Sequence, residues 1–305
     1  MGKSGEIKNV EQIMGINQQT WKEKMAAYKE RPLSFLVWIV VLLAVGLTIG
    51  ILGFLIIYIL VKGVPNLTPS LFAWKYTSEN TSMMPAIINT ILITLLSLLI
   101  SIPIGIGAAI YLVEYAKKGN KLVGIVRITT ETLTGIPSIV YGLFGALFFV
   151  IALKWKLSLI SGAFTLAIMV LPVVMRTTEE ALLSVPEYYR AGSFGLGAGK
   201  LRTVFRVVLP SAIPGILSGV ILAIGRIVGE TAALIYTAGS IPEVPSSLFD
   251  SARTLAVHMY NLSKEGLYTD QAYATAVVLL VLVLLINYIS DLLANKLSKA
   301  SGGEK

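Results

Sequence analysis

Two oppositely charged side chains, Arg226 and Glu230, stand four residues apart within a long apolar stretch of this sequence. Residues at this spacing share one face of an α-helix. The arginine fork donates to the oxygens of an oxyanion, whereas a carboxylate only accepts and therefore suits an anion that still carries a proton. A second interpretation stays open, because the same two side chains could form an ion pair that fixes the rotation of the helix.

Hydroxyl groups repeat at helical spacing in two other apolar stretches, once at Thr90, Thr94, Ser97 and Ser101 and again at Thr134, Ser138 and Tyr141. Such stripes favour a polar pathway, although each hydroxyl could also donate to a carbonyl one turn earlier. The predicted pathway residues are Asn89, Thr90, Thr94, Ser138, Tyr141, Arg226, Glu230 and Thr231. A further pair at helical spacing, Arg127 and Glu131, predicts an ion pair at the membrane surface.

The elements that carry these residues follow from hydropathy. Hydrophobic residues make up 55% of the 305 positions and charged residues 14%, and the mean hydropathy is +0.78. Six stretches free of charge reach the length of about 18 to 20 residues that crosses a bilayer as a helix. They are residues 32–61, 80–113, 132–153, 157–175, 207–225 and 271–290. Because they are continuously apolar rather than alternating, they predict an all-α membrane protein with six transmembrane helices.

Basic residues predict the orientation. With both termini in the cytoplasm, eighteen Lys and Arg residues lie inside and six outside, as the positive-inside rule requires. The predicted organisation is a cytoplasmic tail at 1–33 with an interfacial helix at 11–31, a six-helix domain at 34–294 and a second cytoplasmic tail at 295–305. Anionic lipid explains the net charge of +8, so no nucleic-acid partner is expected. The chain has no cysteine, which excludes disulfides and thiolate metal sites, and no metal site is expected.

The predicted inner loop at 176–210 contains the glycine-rich sequence RAGSFGLGAGKLR. It is not a nucleotide-binding Walker A loop, because Gly199-Lys200 is followed by leucine and no strand precedes it. Pro186 predicts the start of a short helix. A second helix, amphipathic and lying on the inner leaflet until the chain turns upward at Pro210, is predicted by the spacing of Leu201, Val204, Phe205 and Val208.

The predicted outer loop at 240–270 contains a short apolar stretch at 254–262 that is too short to span the bilayer. It predicts a short surface helix or a segment that dips back toward the membrane. His258, the only histidine, is expected to be a packed imidazole rather than a metal ligand, since no second side chain of metal-binding type stands near it.

The inner loop resembles the signature of ABC importer permeases, in which a glycine precedes a hydrophobic-leucine-proline run by a fixed interval. Gly197 and the run that ends in Leu209 and Pro210 keep that interval. The acidic residue of the signature is replaced by Ala191, and Glu187, one turn earlier, is a candidate substitute. The resemblance implies an ATPase-coupling loop that includes Glu187, Tyr188, Arg190, Ala191, Gly192, Ser193, Gly197, Leu209 and Pro210.

Longer motifs are similar to PstA-type permease subunits of phosphate-specific ABC importers. They are GIPSIVYGLFG at 135–145, TLAVHMYNLSKEG at 254–266, and the stretches at 89–116 and 210–239. The resemblance implies a type I ABC importer permease fold and import of inorganic phosphate by alternating access across a bacterial or archaeal cytoplasmic membrane. It implies a PstC-type permease partner, two copies of an ATPase subunit that hold ATP and magnesium, and an extracytoplasmic phosphate-binding protein. The chain itself is then not an enzyme and has no cofactor.

Two alternatives stay open. The loop signature is common to ABC permeases for other oxyanions, so the cargo could be molybdate, sulfate or a phosphonate. The second alternative is a secondary transporter that uses Glu230 as a proton carrier. The sequence shows no inverted repeat of the kind that such transporters contain.

Overall fold

A computed structural model describes residues 32–117 and 119–300, and these residues form helices and irregular segments without strands. The predicted interfacial helix at 11–31 and the end of the C-terminal tail lie outside the described residues. The chain divides after Tyr58 into two units, which are described separately.

Helix α1 runs from Pro32 to Gly63 and is uncharged until Lys62. Its large side chains are exposed along most of its length, as expected for a helix whose solvent is lipid. The single threonine in it, Thr48, donates its hydroxyl to the carbonyl of Ala44, so this polar side chain is satisfied within the helix.

The second unit consists of the end of α1, two short 3₁₀ turns and ten further helices. These are α2 (Met84–Ile110), α3 (Lys121–Thr134), α4 (Ser138–Gly145), α5 (Leu159–Leu183), α6 (Glu187–Gly195), α7 (Lys200–Thr203), α8 (Leu209–Val228), α9 (Ala232–Thr237), α10 (Leu255–Glu265) and α11 (Thr269–Ala300). A π-helical segment extends α2 (Tyr111–Tyr115), another extends α4 (Ala146–Ala152), and a third joins α7 to α8 (Val204–Val208).

The predicted six spans are five single helices and one bent pair. The single spans are Leu33–Asn66, Met84–Tyr115, Leu159–Leu183, Lys200–Val228 and Thr269–Leu292. The predicted span at 132–153 is not straight, because α3 and the extended α4 meet at 103°. Pro137 precedes α4 as its N-cap, and a proline disfavours helical backbone in the residue before it, so the helix breaks there.

Helix α5 is the centre of the second unit, and three of its side chains, Leu166, Met169 and Val170, are fully buried. Its neighbours approach it through glycines. A Cβ atom added at Gly105 of α2 would lie 2.9 Å from Val174, and one at Gly215 of α8 would lie 2.6 Å from Ala181. Because glycine has no side chain, these helices approach each other closely at Gly105 and Gly215.

Helices α4 and α9 pack in the same way. A Cβ atom added at Gly142 would lie 2.7 Å from the Cα atom of Ala233. One at Gly145 would overlap the hydroxyl of Thr165 in α5. Backbone lies directly against backbone at this contact, which holds the bent pair onto the rest of the unit.

The prediction of a separate amphipathic helix that turns upward at Pro210 is wrong. The chain is helical without interruption from Lys200 to Val228. Pro210 lies inside this continuous stretch, two residues after the π-helical segment Val204–Val208. Val204 and Val208 are buried, whereas Leu201 and Phe205 are exposed. Only two of the four residues of the predicted apolar face therefore pack against the described part of the chain.

The outer loop contains a short helix, α10, over the apolar stretch at 254–262. Thr254 caps its start by accepting from the N–H of Val257, and Gly266 ends it with a left-handed φ of 70°. Leu255, Val257 and Leu262 are buried, so the helix is packed rather than loose on the surface.

His258 of α10 is fully buried, which confirms the prediction of a packed imidazole. Its Nε2 lies 3.3 Å from the carbonyl of Thr81 and its Nδ1 lies 3.3 Å from Nη1 of Arg253. A carbonyl can only accept and a guanidinium can only donate, so the neutral ring carries its proton on Nε2. Burial, and then the charge of Arg253, lower the pKa of His258 from 6.5 to about 4.

The pKa of His258 predicts how stability depends on pH. A base whose pKa is lower in the folded state stabilises the fold above its unfolded pKa, and this contribution is lost as the pH falls from 6.5 to 4. The free energy of unfolding is expected to decrease by on the order of 3 kcal/mol over this pH range. We expect unfolding midpoints measured at pH 7, 5.5 and 4.5 to fall more steeply for the wild type than for His258→Gln. Parallel pH profiles would contradict this assignment.

The glycine contacts give a second prediction. Gly142→Ala is expected to destabilise the protein by about 1 to 3 kcal/mol, because the methyl group meets backbone that cannot move aside. Gly107→Ala is the matched control, since this helical glycine has open space at its Cβ position and alanine favours helix. The measurement is the midpoint of thermal unfolding in detergent, and equal midpoints for the two variants would contradict the prediction.

Candidate functional site

Helix α8 carries Arg226 but ends before Glu230. Helix α8 stops at Val228, and α9 begins at Ala232. Glu230 N–H still donates to the carbonyl of Ile227 at 3.1 Å, but Thr231 leaves helical geometry with φ −124° and ψ −52°. Arg226 and Glu230 therefore do not share one face of a continuous helix, and that expectation is wrong.

Glu230 is buried at the break and caps the next helix. Its Oε1 accepts from the N–H of Ala233 at 3.0 Å. The first N–H groups of a helix have no partner within the helix, so a carboxylate at this position satisfies one of them. Arg226 and Glu230 form no ion pair with each other in the structure, so the alternative of a mutual ion pair is wrong for this conformation.

Arg226 lies in the last turn of α8 and is half-buried. It makes no hydrogen bond or ion pair with any of the residues described between 32 and 300. Tyr141 is buried and donates its hydroxyl to the carbonyl of Leu133 at 2.8 Å, across the bend between α3 and α4.

The tight contact between Gly142 and Ala233 brings α4 next to the helix break. The structure thus groups Tyr141, Arg226, Glu230 and Thr231, which the sequence places on two separate stretches. Ser138 begins α4, one turn before Gly142, and is half-buried.

The three predicted pathway residues of α2 are bonded within the chain. The amide of Asn89 donates to the carbonyls of Glu243 at 2.8 Å and Arg253 at 3.2 Å. The hydroxyls of Thr90 and Thr94 each donate to a carbonyl four residues earlier, and Thr90 also accepts from the N–H of Leu255. These contacts join α2 to the outer loop, while a role in the pathway stays a prediction.

The predicted coupling loop contains the helix that Pro186 was expected to start. Helix α6 begins at Glu187, directly after Pro186. Tyr188 is 68% exposed and Tyr189 45% exposed, and their rings lie 4.9 Å apart. Ala191 and Gly192 are exposed beside them, so the loop presents aromatic area with little side-chain bulk around it.

A groove of about 470 Å³ lies between α6 and the start of the next helix. Gly197 turns the chain here with φ 79°, a left-handed conformation that favours glycine. Ser193 and Thr203 join the two walls by a hydrogen bond of 2.8 Å between their hydroxyls. Leu209 and Pro210, also predicted for this loop, are half-buried in the first turn of α8.

Comparison with known proteins identifies the family of this chain. Residues 101–301 match the family described as the binding-protein-dependent transport system inner membrane component. The chain belongs to this family. It is therefore a multi-pass inner-membrane component of a transport system.

Two relatives show how far the similarity extends. The chain is 40% identical over 199 residues to the probable ABC transporter permease protein YqgI of Bacillus subtilis (strain 168), covering 60% of this chain and 67% of that protein. It is 37% identical over 185 residues to the phosphate transport system permease protein PstA of Xylella fastidiosa (strain 9a5c), covering 60% of this chain and 64% of that protein. These matches confirm the resemblance drawn from the sequence motifs.

A solved structure confirms the fold. The chain superposes on a bacterial ABC transporter involved in the import of the acidic polysaccharide alginate with a TM-score of 0.61, covering 89% of this chain and 99% of that one at 16% identity. The fold is that of a type I ABC importer permease, as predicted.

Ion pairs on this permease differ from those expected. Arg127 does not pair with Glu131; it contacts Glu179 of α5 at 2.5 Å, and Glu131 contacts Arg176 of α5 at 3.4 Å. Glu114, which the sequence did not single out, binds Arg190 of α6. The only signal for Glu114 was an acidic residue at the end of an apolar run, and no spacing rule relates it to a residue 76 positions away.

The capping role of Glu230 gives a prediction. Glu230→Ala removes the acceptor for Ala233 N–H and is expected to destabilise the protein by about 1 kcal/mol, whereas Glu230→Gln keeps an oxygen in place and costs less. The measurements are the thermal unfolding midpoint and hydrogen exchange at the amide of Ala233. Equal effects of the two substitutions on both would refute the cap.

Proposed function

We propose that this chain is the permease subunit of an ATP-driven importer of inorganic phosphate and acts by alternating access. The observation that carries the proposal is Arg226, a half-buried cation at the end of a membrane helix beside an interrupted segment of backbone. An ionised side chain in a membrane helix is costly unless it faces a wet or polar path, so such residues mark substrate pathways. Relatives named phosphate transport system permease proteins supply the class of anion.

Arg226 and its neighbours suit a phosphate group chemically. The guanidinium offers several donors in one plane, and Thr231 in the helix break adds a hydroxyl. The proton of the Tyr141 hydroxyl is already donated to Leu133, so Tyr141 could only accept from a protonated anion. Glu230 uses one carboxylate oxygen to cap α9, which leaves the second oxygen to accept from a P–OH group. Sulfate at neutral pH has no such proton, so the carboxylate would select phosphate over sulfate.

The proposal includes the partner subunits. The exposed tyrosines and the groove beside Gly197 would dock on an ATPase subunit, two copies of which would bind ATP and magnesium. The permease chain would contribute no catalytic group. A PstC-type permease would complete the pathway, and an extracytoplasmic phosphate-binding protein would deliver phosphate on the side of the loop at 240–270.

Uptake of radiolabelled phosphate by the reconstituted complex tests the proposal, with ATP supplied on the side of the ATPase subunits. Arg226→Lys is expected to lower uptake at least about tenfold, because the ammonium cannot reproduce the planar fork. Arg176→Lys is the matched control, since Arg176 is half-exposed and paired with Glu180. Uptake by Arg226→Lys equal to that of the control would remove Arg226 from the pathway.

Competition by sulfate tests the selectivity. Sulfate is expected to inhibit phosphate uptake in Glu230→Gln and not in the wild type. Inhibition of the wild type by sulfate or molybdate would instead indicate a permease for a different oxyanion. Uptake driven by a proton gradient without ATP would indicate a secondary transporter and contradict the proposed function.

A further inference from the structure

Arg190 of the predicted coupling helix is among the most completely bonded charged groups in the described part of the chain. Its Nε and Nη2 donate to Oε1 of Glu114 at 3.0 and 2.7 Å. Its Nη1 and Nη2 also donate to the carbonyls of Val185 and Leu182, each at 2.9 Å. The side chains of Arg190 and Glu114 are only 11% and 8% exposed, so the pair is shielded from water.

This ion pair joins two elements that are far apart in sequence. Arg190 lies in α6, and Glu114 lies in the π-helical segment Tyr111–Tyr115 that extends α2. A second contact reaches the same segment, since Nζ of Lys200, at the start of α7, lies 5.0 Å from the centre of the Tyr115 ring. The glycine-rich loop is therefore tied at both of its ends to consecutive residues of α2's extension.

The side chains around the pair are packed as a core. Leu112 of the π-helical segment, Leu182 and Val185 before α6, and Val204 and Val208 after α7 belong to one buried cluster. Two donors of the guanidinium meet at one oxygen of Glu114 and the others reach two carbonyls, so the buried arginine is held at several points. The pair therefore links helix α6 to the end of α2 through buried hydrogen bonds.

We propose that the Arg190–Glu114 pair is the rigid joint through which displacement of helix α6 by the ATPase is transmitted to α2. The inference rests on the proposed function. In it Arg190 is a positioning residue of the coupling machinery rather than a contact to the ATPase. Helix α2 packs closely on α5 at Gly105 and Val174, so a displacement delivered to α2 reaches the centre of the membrane domain.

The joint is tested by the ratio of phosphate transported to ATP hydrolysed in the reconstituted complex. The variants are Arg190→Lys, Glu114→Gln and the double variant Glu114→Gln with Arg190→Gln, which leaves no buried charge unpaired. Each is expected to keep ATP hydrolysis while the ratio falls about tenfold, and the double variant is expected to be no worse than Glu114→Gln. Arg176→Ala is the control, because it removes the two exposed ion pairs of Arg176 with Glu131 and Glu180.

A second readout measures the joint without any substrate. The chain has no cysteine, so spin labels can be placed at Phe194→Cys in α6 and Leu99→Cys in α2, both exposed positions, in complexes whose other subunits are free of cysteine. The distance distribution is expected to be narrow in the otherwise wild-type chain and in Arg176→Ala. It is expected to be broad in Arg190→Lys and in the double variant.

Two results would overturn the joint. One is an unchanged ratio of transport to hydrolysis in assembled variants; the other is a distance distribution as narrow in the variants as in the control. Loss of assembly in the double variant and in Arg190→Lys alike would show that the pair only holds the fold together. If the wild-type complex takes up no phosphate with ATP, the proposed function fails, and the label distances still decide whether the joint exists.

Discussion

The rest of this structure depends on the close approach of helices at glycine residues. Lipid is as apolar as leucine, so apolar side chains gain little by leaving it, and packing between helices needs short distances instead. Glycines supply these distances where α2 and α8 meet α5 and where α4 meets α9. Gly225 of α8 behaves differently, because a Cβ atom there would lie within 4 Å of no atom in the described part of the chain. The face of α8 next to Arg226 is therefore open.

The break between α8 and α9 is possible only because its backbone groups find partners. Non-helical backbone at membrane depth must be satisfied by protein or water, since lipid offers no hydrogen bonds. The carboxylate of Glu230 provides one of these bonds to Ala233, and the backbone of Ile227 another to Glu230 itself. Glu230 thus stabilises the irregular segment between α8 and α9. One residue serves both the fold and the proposed site.

The sequence predicted those features that depend on local physics. Length without charge predicted the spans, and Pro186 predicted the start of α6, because each is decided within a few residues. The charged pair at i and i+4 misled because the spacing rule assumes a continuous helix, whereas the chain leaves helical geometry at Thr231, just before the helix that packs against α4. The ion pairs could not be predicted, since Glu114 and Arg190 meet only through the folding of α2 against α5. The positions of the predicted polar residues of α2 also depend on distant segments of the chain, which residue spacing does not reveal.

Two arginines show how the same group serves opposite purposes. The donors of Arg190 are directed to a carboxylate and two carbonyls, which leaves it with one geometry and little to gain from any anion. Arg226 is half-buried and has no such acceptors among the described residues, so in the proposed function its donors bind the anion. A fully buried and unpaired guanidinium would bind an anion so strongly that release would be slow, whereas a fully exposed one would bind too weakly to select it. Half-burial beside an open helix face is the compromise that a residue of a transport pathway requires, because the anion must both arrive and leave.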